Sequence, residues 1–382
     1  MAGCLKICTI SDIHIGASDD KNLYDNLKEF FFKKIKEDIP DMIVICGDIS
    51  HDTLSLNSQS GKVYLKFAKK LISLCSKYNI ILRIVKGTQS HDRNQLEVFN
   101  IQEYEGELNV RIFNTVTEEE TIPGYKFLYI PEEYVNDKDK YYGEYFNKEY
   151  DMIFMHGLVS DAAFIAKHQE SESSHPRAPI FNTDDLLNLS IGPVVAGHIH
   201  GHCCFKDRFF YTGSFTRWQF GEEESKGYMR FKYYKRDRDF EMQFIENTNA
   251  PIYKTIKVDM KSGLYNMGID RTMKELLRIK EEAVYDKLRF LVTIPEDYSE
   301  PQLFSDSIKE LFSLDKNIVV KINSLSKSKQ EAKVKEQIEI LLKTYDYIFE
   351  EKITYSEKIK RFISTKFGKE IDIEEIDKYI YK

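Results

Sequence analysis

Two short apolar runs, Leu5–Ile10 and Met42–Cys46, each stop in a cluster of polar residues, and Leu23–Ile39 between them carries apolar residues at helical spacing. Strand, amphipathic helix, strand is the βαβ pattern. It confines the first part of the chain to a layered α/β domain. The pattern continues with a helical stretch at Val63–Tyr78, a strand at Ile80–Val85, and further short strands at Tyr125–Ile130, Met152–Met155 and Val194–Ala196. In most of these cases the residues capable of chemistry come directly after the strand. That is the carboxyl edge, where α/β sheets bind their ligands.

Past Arg208 the runs Phe209–Tyr211, Gly227–Tyr234 and Phe240–Ile245 read as short strands completing a second sheet, so that two facing sheets make a sandwich core. Pro251–Ile256 reads as a linker into a small α+β unit. There, helix Thr272–Ala283 precedes strand Leu288–Ile294, and helix Gln302–Phe312 precedes strand Ile318–Ile322. The remainder is charged and helical, with Ile338, Leu341, Leu342, Tyr345 and Ile348 at helical spacing. The expected domains are 1–250, 251–325 and 326–382, a division that 382 residues accommodate. No internal repeat or low-complexity segment is present.

With 42% hydrophobic and 31% charged residues and no apolar run near the roughly 20 residues that span a bilayer, no membrane insertion is expected. The first residues lack the basic region and cleavage site of a secretory signal, which makes a cytoplasmic location the expectation. A net charge of −7 argues against a generic nucleic-acid coat, so any grip on DNA has to be local. Six cysteines without regular spacing, several of them inside apolar runs, read as buried free thiols. The vicinal Cys203 and Cys204 would point to opposite faces of a strand and cannot easily share an ion.

Five motifs carry the chemistry. In Ser11-Asp12-Ile13-His14 a carboxylate and an imidazole two residues apart reach one ion from a strand end; in Gly47-Asp48 the glycine permits a turn and the carboxylate can bridge two cations. Gly87-Thr88-Gln89-Ser90-His91-Asp92 offers a histidine beside an aspartate. Met155-His156-Gly157 and Gly197-His198-Ile199-His200 add three imidazoles. Singly, each has an ordinary explanation as a turn or a structural histidine. Together, each at a strand end, their carboxylates and imidazoles suit zinc, manganese or iron.

The order Asp-x-His, Gly-Asp, Gly…His-Asp, His, Gly-His-x-His resembles that of the calcineurin-like metallophosphoesterases over residues 5–200. The resemblance implies a β-sandwich core flanked by helices, with a small α+β cap and a helical C-terminal tail. It implies one divalent metal ion on Asp12, His14, Asp48 and His200 and a second on Asp48, His156, His198 and an amide, with Asp48 bridging. His91 would then be the general acid, oriented by Asp92. The chain departs from the family where Gly-Asn-His-Asp/Glu has become Gly87-Thr88-Gln89-Ser90-His91-Asp92. In register with His91 the missing ligand falls on Ser90, although Gln89 has a longer carbonyl to offer, and either substitution predicts a weakened second ion site.

Downstream, Tyr211-Thr212-Gly213-Ser214, Arg217, Phe220-Gly221-Glu222 and Lys226-Gly227-Tyr228 are similar to the segment after the last histidines of SbcD-type nucleases, the catalytic subunits of bacterial and phage DNA end-processing complexes. That likeness implies a manganese-dependent DNA exonuclease, and possibly endonuclease, in DNA recombination or repair. His51 and Arg217 would lie near substrate and a cap at 251–325 would contact DNA. A tail at 326–382 would bind an SbcC-type, SMC-like ATPase, and a homodimer is implied. Two other readings remain open: a phosphoesterase acting on nucleotides, phosphoproteins or other small phosphoesters, and a binding subunit whose metal site has decayed.

Overall fold

The computed structural model describes residues 4–100, 109–162, 177–259, 269–294, 301–324 and 353–367, with residues 370, 372, 373, 376 and 377. By contacts the chain divides into two compact units. One holds Met1–Ile256 with Ile279–Arg289 and Lys316–Val319; the other holds Lys257–Arg278, Phe290–Asp315 and Val320–Lys382.

The first unit contains two six-stranded sheets. Met42–Cys46, Leu5–Ile10, Ile81–Val85 and Val110–Phe113 run parallel in one, which is extended past Leu5–Ile10 by the antiparallel hairpin Gly227–Tyr234 and Asp239–Glu246. The other runs in the order Cys203–Phe205, Phe209–Tyr211, Val194–Gly197, Met152–His156, Tyr125–Ile130, Thr117–Ile122. Met42–Cys46, Met152–His156 and Val194–Gly197 are buried along their whole length, which is why they read as apolar runs. Along Met42–Cys46, Met42, Val44 and Cys46 join Phe127, Tyr129, Phe154 and Val195 of the facing sheet in one core cluster. Ile43 and Ile45 pack outward with Phe31, Phe67 and Leu71 of the covering helices. A third cluster, with Leu128, Ile153, Leu186 and Val194, covers the outer face of the second sheet.

The helical stretch between the first two strands runs from Asp20 to Glu37 and includes a π-helical turn at Leu27–Phe32 that buries Leu27, Phe31 and Phe32. Asp19 caps its start, and Ser58 caps the helix Gln59–Tyr78, which stops at Asn79 in the left-handed conformation. One expectation is corrected: Gly227–Tyr234 and Asp239–Glu246 extend the first sheet, and only Phe209–Tyr211 joins the second. The expected linker Pro251–Ile256 becomes strand from Tyr253 onward.

A three-stranded sheet follows in the order Tyr253–Asp259, Lys287–Ile294, Ile318–Ser324, with helices Ile269–Glu282 and Pro301–Leu311 before its second and third strands. Leu276, Phe290, Val292, Phe304, Ile308 and Phe312 are buried in the second unit, and the rings of Phe290 and Phe312 stack at 5.0 Å. Tyr355–Phe367 is helical. Ile338, Leu341, Leu342, Tyr345 and Ile348 lie outside the described residues. All six cysteines are free, but only Cys8, Cys46 and Cys75 are buried as expected; Cys4 and Cys203 are half-buried and Cys204 is exposed. Among the described residues no helix is long and apolar enough to cross a membrane.

Candidate metal centre

Every strand-end motif arrives at the same place. Asp12 and His14 follow Leu5–Ile10, Asp48 follows Met42–Cys46, His156 ends its strand, and His198 and His200 follow Val194–Gly197. His14 Nε2 lies 3.1 Å from His200 Nε2 and 3.9 Å from Asp48 Oδ2, and His156 Nε2 lies 3.3 Å from the same Asp48 oxygen. Four groups of residues among those described each gather their potential ligand atoms within 4.8 Å: Asp12, His14 and His200; Asp12, Asp48 and His156; Glu132, His156 and His198; and His14, His51 and His91. All but the half-buried His51 are buried.

The backbone bends sharply to deliver them. Asp12, His14, Asp48 and His198 have φ of +48°, +50°, +54° and +97°, so four of the eight described non-glycine residues with positive φ are expected ligands. Such backbone strain concentrates where surrounding structure holds it for function. Gly47 and Gly87 let the turns approach: a Cβ on Gly47 would collide with the His156 ring, and one on Gly87 with the carboxylate and backbone of Asp48.

Hydrogen bonds set the imidazoles. His156 Nδ1–H donates to the Cys46 carbonyl at 2.7 Å and His200 Nδ1–H to Glu222 Oε1 at 2.7 Å, which leaves Nε2 of each for an ion. Glu222 is itself buried beside Lys226, whose Nζ lies 3.5 Å from Glu222 Oε2 and donates to the His200 carbonyl at 2.8 Å. Burial opposes the charge of Glu222, but His200 and Lys226 outweigh it and hold the carboxyl below its usual range.

Burial pushes His14 well below the ordinary histidine range, and burial with the charge on His156 lowers His198 to about 3, so both are neutral at pH 7, the ligating form. His156 goes the other way: burial disfavours its charge, but the Asp48 carboxylate overrides that and raises it well above the ordinary value. Burial raises the Asp12 carboxyl against the pull of His156 and His200. Close-set buried carboxylates and neutral imidazoles are costly to assemble in apolar surroundings, and a divalent cation offsets that cost. The residues fit such ions.

The Gly87–Asp92 loop corrects two expectations. Ser90 and Gln89 are both exposed. The residue at the centre is Thr88, whose backbone N–H donates to Asp48 Oδ1 at 2.7 Å and whose Oγ1 lies 3.3 Å from Asp48 Oδ2 and 3.4 Å from His156 Nε2. Counting from Gly87 rather than back from His91 finds it; the two extra residues bulge outward. The Asp92 carboxylate accepts backbone N–H groups of Asp48, Gly87 and Ile49 at 2.7, 3.0 and 3.1 Å, so it holds the loop, while His91 Nδ1–H donates to the His51 carbonyl.

His51 sits at the centre, its Nδ1 3.5 Å from His14 Nδ1 and its ring stacked 5.3 Å from that of His91. Arg217 does not present a free cation. It donates to the carbonyls of Glu222 at 2.9 Å, Glu224 at 2.6 Å, Glu223 at 3.3 Å and Ala250 at 3.5 Å, and so clamps its own loop. Trp218 and Glu132 had no place in the sequence reading, and Lys226 stood there only within a motif, with no role of its own. Trp218, the chain's single tryptophan, stands 4.7 Å from the His51 ring, 5.2 Å from His14 and 5.4 Å from His200. A lone indole three residues before Gly221-Glu222 was the available signal.

Residues 5–240 match the family model of the calcineurin-like phosphoesterases. Among solved structures, the nuclease MPE of Pseudomonas putida aligns at 12% identity over 59% of this chain and 84% of that one, with a TM-score of 0.27.

Proposed function

Because the chain belongs to the calcineurin-like phosphoesterase family of metal-dependent hydrolases, we propose that it is a two-ion DNA nuclease of SbcD type, hydrolysing phosphodiesters in DNA end processing, recombination or repair. The observation that carries the nuclease reading is the segment from Tyr211 to Tyr228. It bears the likeness to those nucleases, and it also supplies Glu222 and Lys226 behind His200 and Trp218 beside His14 and His51. A phosphoesterase for small esters has no need of such a wall.

Two divalent ions held by Asp12, His14, His200, Asp48, His156 and His198 would supply charge neutralisation at phosphorus and an activated water; manganese is the ion this reading favours. His91, whose Nδ1–H is engaged by the His51 carbonyl, would hand a proton to the leaving oxygen. Asp92 acts through the loop backbone. The rings of His51 and Trp218 give a surface against which a nucleotide can be stacked. Lys and Arg of the cap at 251–325 would take backbone phosphates. The tail at 326–382 would engage an SMC-like ATPase, and the chain would act as a homodimer, which sedimentation with and without that partner would reveal.

The test incubates the purified chain and His91→Ala with end-labelled duplex and single-stranded DNA and with a generic phosphomonoester, in manganese or in EDTA. Manganese-dependent DNA cleavage that the variant loses is expected. Hydrolysis of the monoester with DNA left intact would overturn the proposal in favour of a small-phosphoester hydrolase.

A further inference from the structure

The strand Tyr125–Ile130 ends in Pro131-Glu132, and Glu132 points into the metal centre. Its side chain is buried, the residue being only 4% exposed. Oε2 lies 3.4 Å from His198 Nδ1, and the potential ligand atoms of Glu132, His156 and His198 fall within 4.8 Å of one another. The Tyr134 hydroxyl bonds to the same carboxyl group, yet Oε1 is buried with no hydrogen-bond partner within ordinary reach. Buried polar atoms are nearly always paired, and a carboxylate oxygen left bare at the edge of a metal cluster calls for a cation. Thr88 stands where the family's amide would, but its hydroxyl is a neutral donor of one oxygen.

We infer that Glu132 is a ligand of the second ion, a carboxylate in the place of the missing asparagine. Each ion then has one carboxylate and two imidazoles of its own, Asp12 with His14 and His200 on one side and Glu132 with His156 and His198 on the other. Both share Asp48. A charged oxygen in place of a neutral amide strengthens the hold on a divalent cation, which reverses the weakened second site anticipated from the sequence.

The inference rests on the two-ion reading of the site and is independent of the substrate, so ion binding tests it without any turnover. Metal-stripped full-length chain is titrated calorimetrically with manganese chloride, and electron paramagnetic resonance reports whether the bound ions are exchange-coupled. Wild type is expected to bind two coupled ions and His198→Ala one. Glu132→Ala and the isosteric Glu132→Gln, each checked by circular dichroism, are expected to bind the second ion at least about tenfold more weakly and to lose the coupled signal. Thr88→Asn in the Glu132→Ala chain is expected to restore it. Two ions held at wild-type affinity by both Glu132 variants would overturn the assignment, as would failure of the Thr88→Asn restoration. Wild type binding fewer than two ions would instead sink the two-ion reading itself.

Discussion

The two halves of the metal centre share Asp48 and are otherwise built differently. Around Asp12, His14 and His200 every ligand stands in the expected motif, and His200 leans on an anion, Glu222, with Lys226 behind it. A carboxylate on the far nitrogen makes an imidazole a stronger donor. Around His156 and His198 the imidazole of His156 leans on a neutral carbonyl, that of Cys46, and the familiar amide is gone. Thr88 and Glu132 stand there instead. The first half gains its strength from behind a ligand, and the second gains it by bringing in another charge. Ligand motifs mark where ions go, whereas the means of holding them is free to differ even across a few ångströms.

The comparison breaks most completely at the shared residue. Asp48→Asn removes the charge common to both halves, and ion binding on both sides and hydrolysis together are expected to fall below detection in calorimetry and turnover assays. His91→Ala, which removes a proton donor and no ligand, is expected to lower kcat by about 10²–10⁴-fold with ion stoichiometry unchanged by elemental analysis.

Acidification acts on the second half through His156, whose charge the Asp48 carboxylate favours against burial, so an ion binding there has to displace a proton. Below the raised pKa of His156, manganese affinity in the second half should fall about tenfold per pH unit. Titration calorimetry in buffers of different ionisation enthalpy reads the proton release. Glu222→Gln is the mirror test and should weaken the first half alone, by about 10–100-fold. Smallest is Arg217→Ala, expected to cost about 1–3 kcal/mol in thermal unfolding through lost hydrogen bonds to loop carbonyls, with KM unchanged.

What the sequence revealed follows from the same physics. Buried strands stand out as mostly apolar runs, so Leu5–Ile10, Met42–Cys46 and Phe209–Tyr211 have the limits expected of them, and the residues just beyond the first two gave Asp12, His14 and Asp48. Thr117–Ile122 was missed because a sheet-edge strand need not be apolar. Its Glu118 and Glu119 are neutralised by Lys126, Lys148, Arg83 and Arg111 from elsewhere in the sequence. The sheet to which Gly227–Tyr234 belongs depends on a partner more than two hundred residues away, and no local pattern encodes such a pairing. Glu132 was hidden for a related reason: Pro131-Glu132-Glu133 reads as a polar turn until Tyr125–Ile130 is laid beside Met152–His156.

That long pairing has a consequence for the chain as it is made. Leu5–Ile10 leaves the ribosome more than two hundred residues before Gly227–Tyr234, the strand that covers its outer edge. At synthesis rates of about 5–20 residues per second, that edge waits on the order of ten seconds or more for its neighbour. During that interval it offers bare amides and carbonyls to any passing strand. Glu222 and Lys226 emerge just ahead of the same strand, so the last fastening of the first ion and the closing of the sheet fall in one late step of translation.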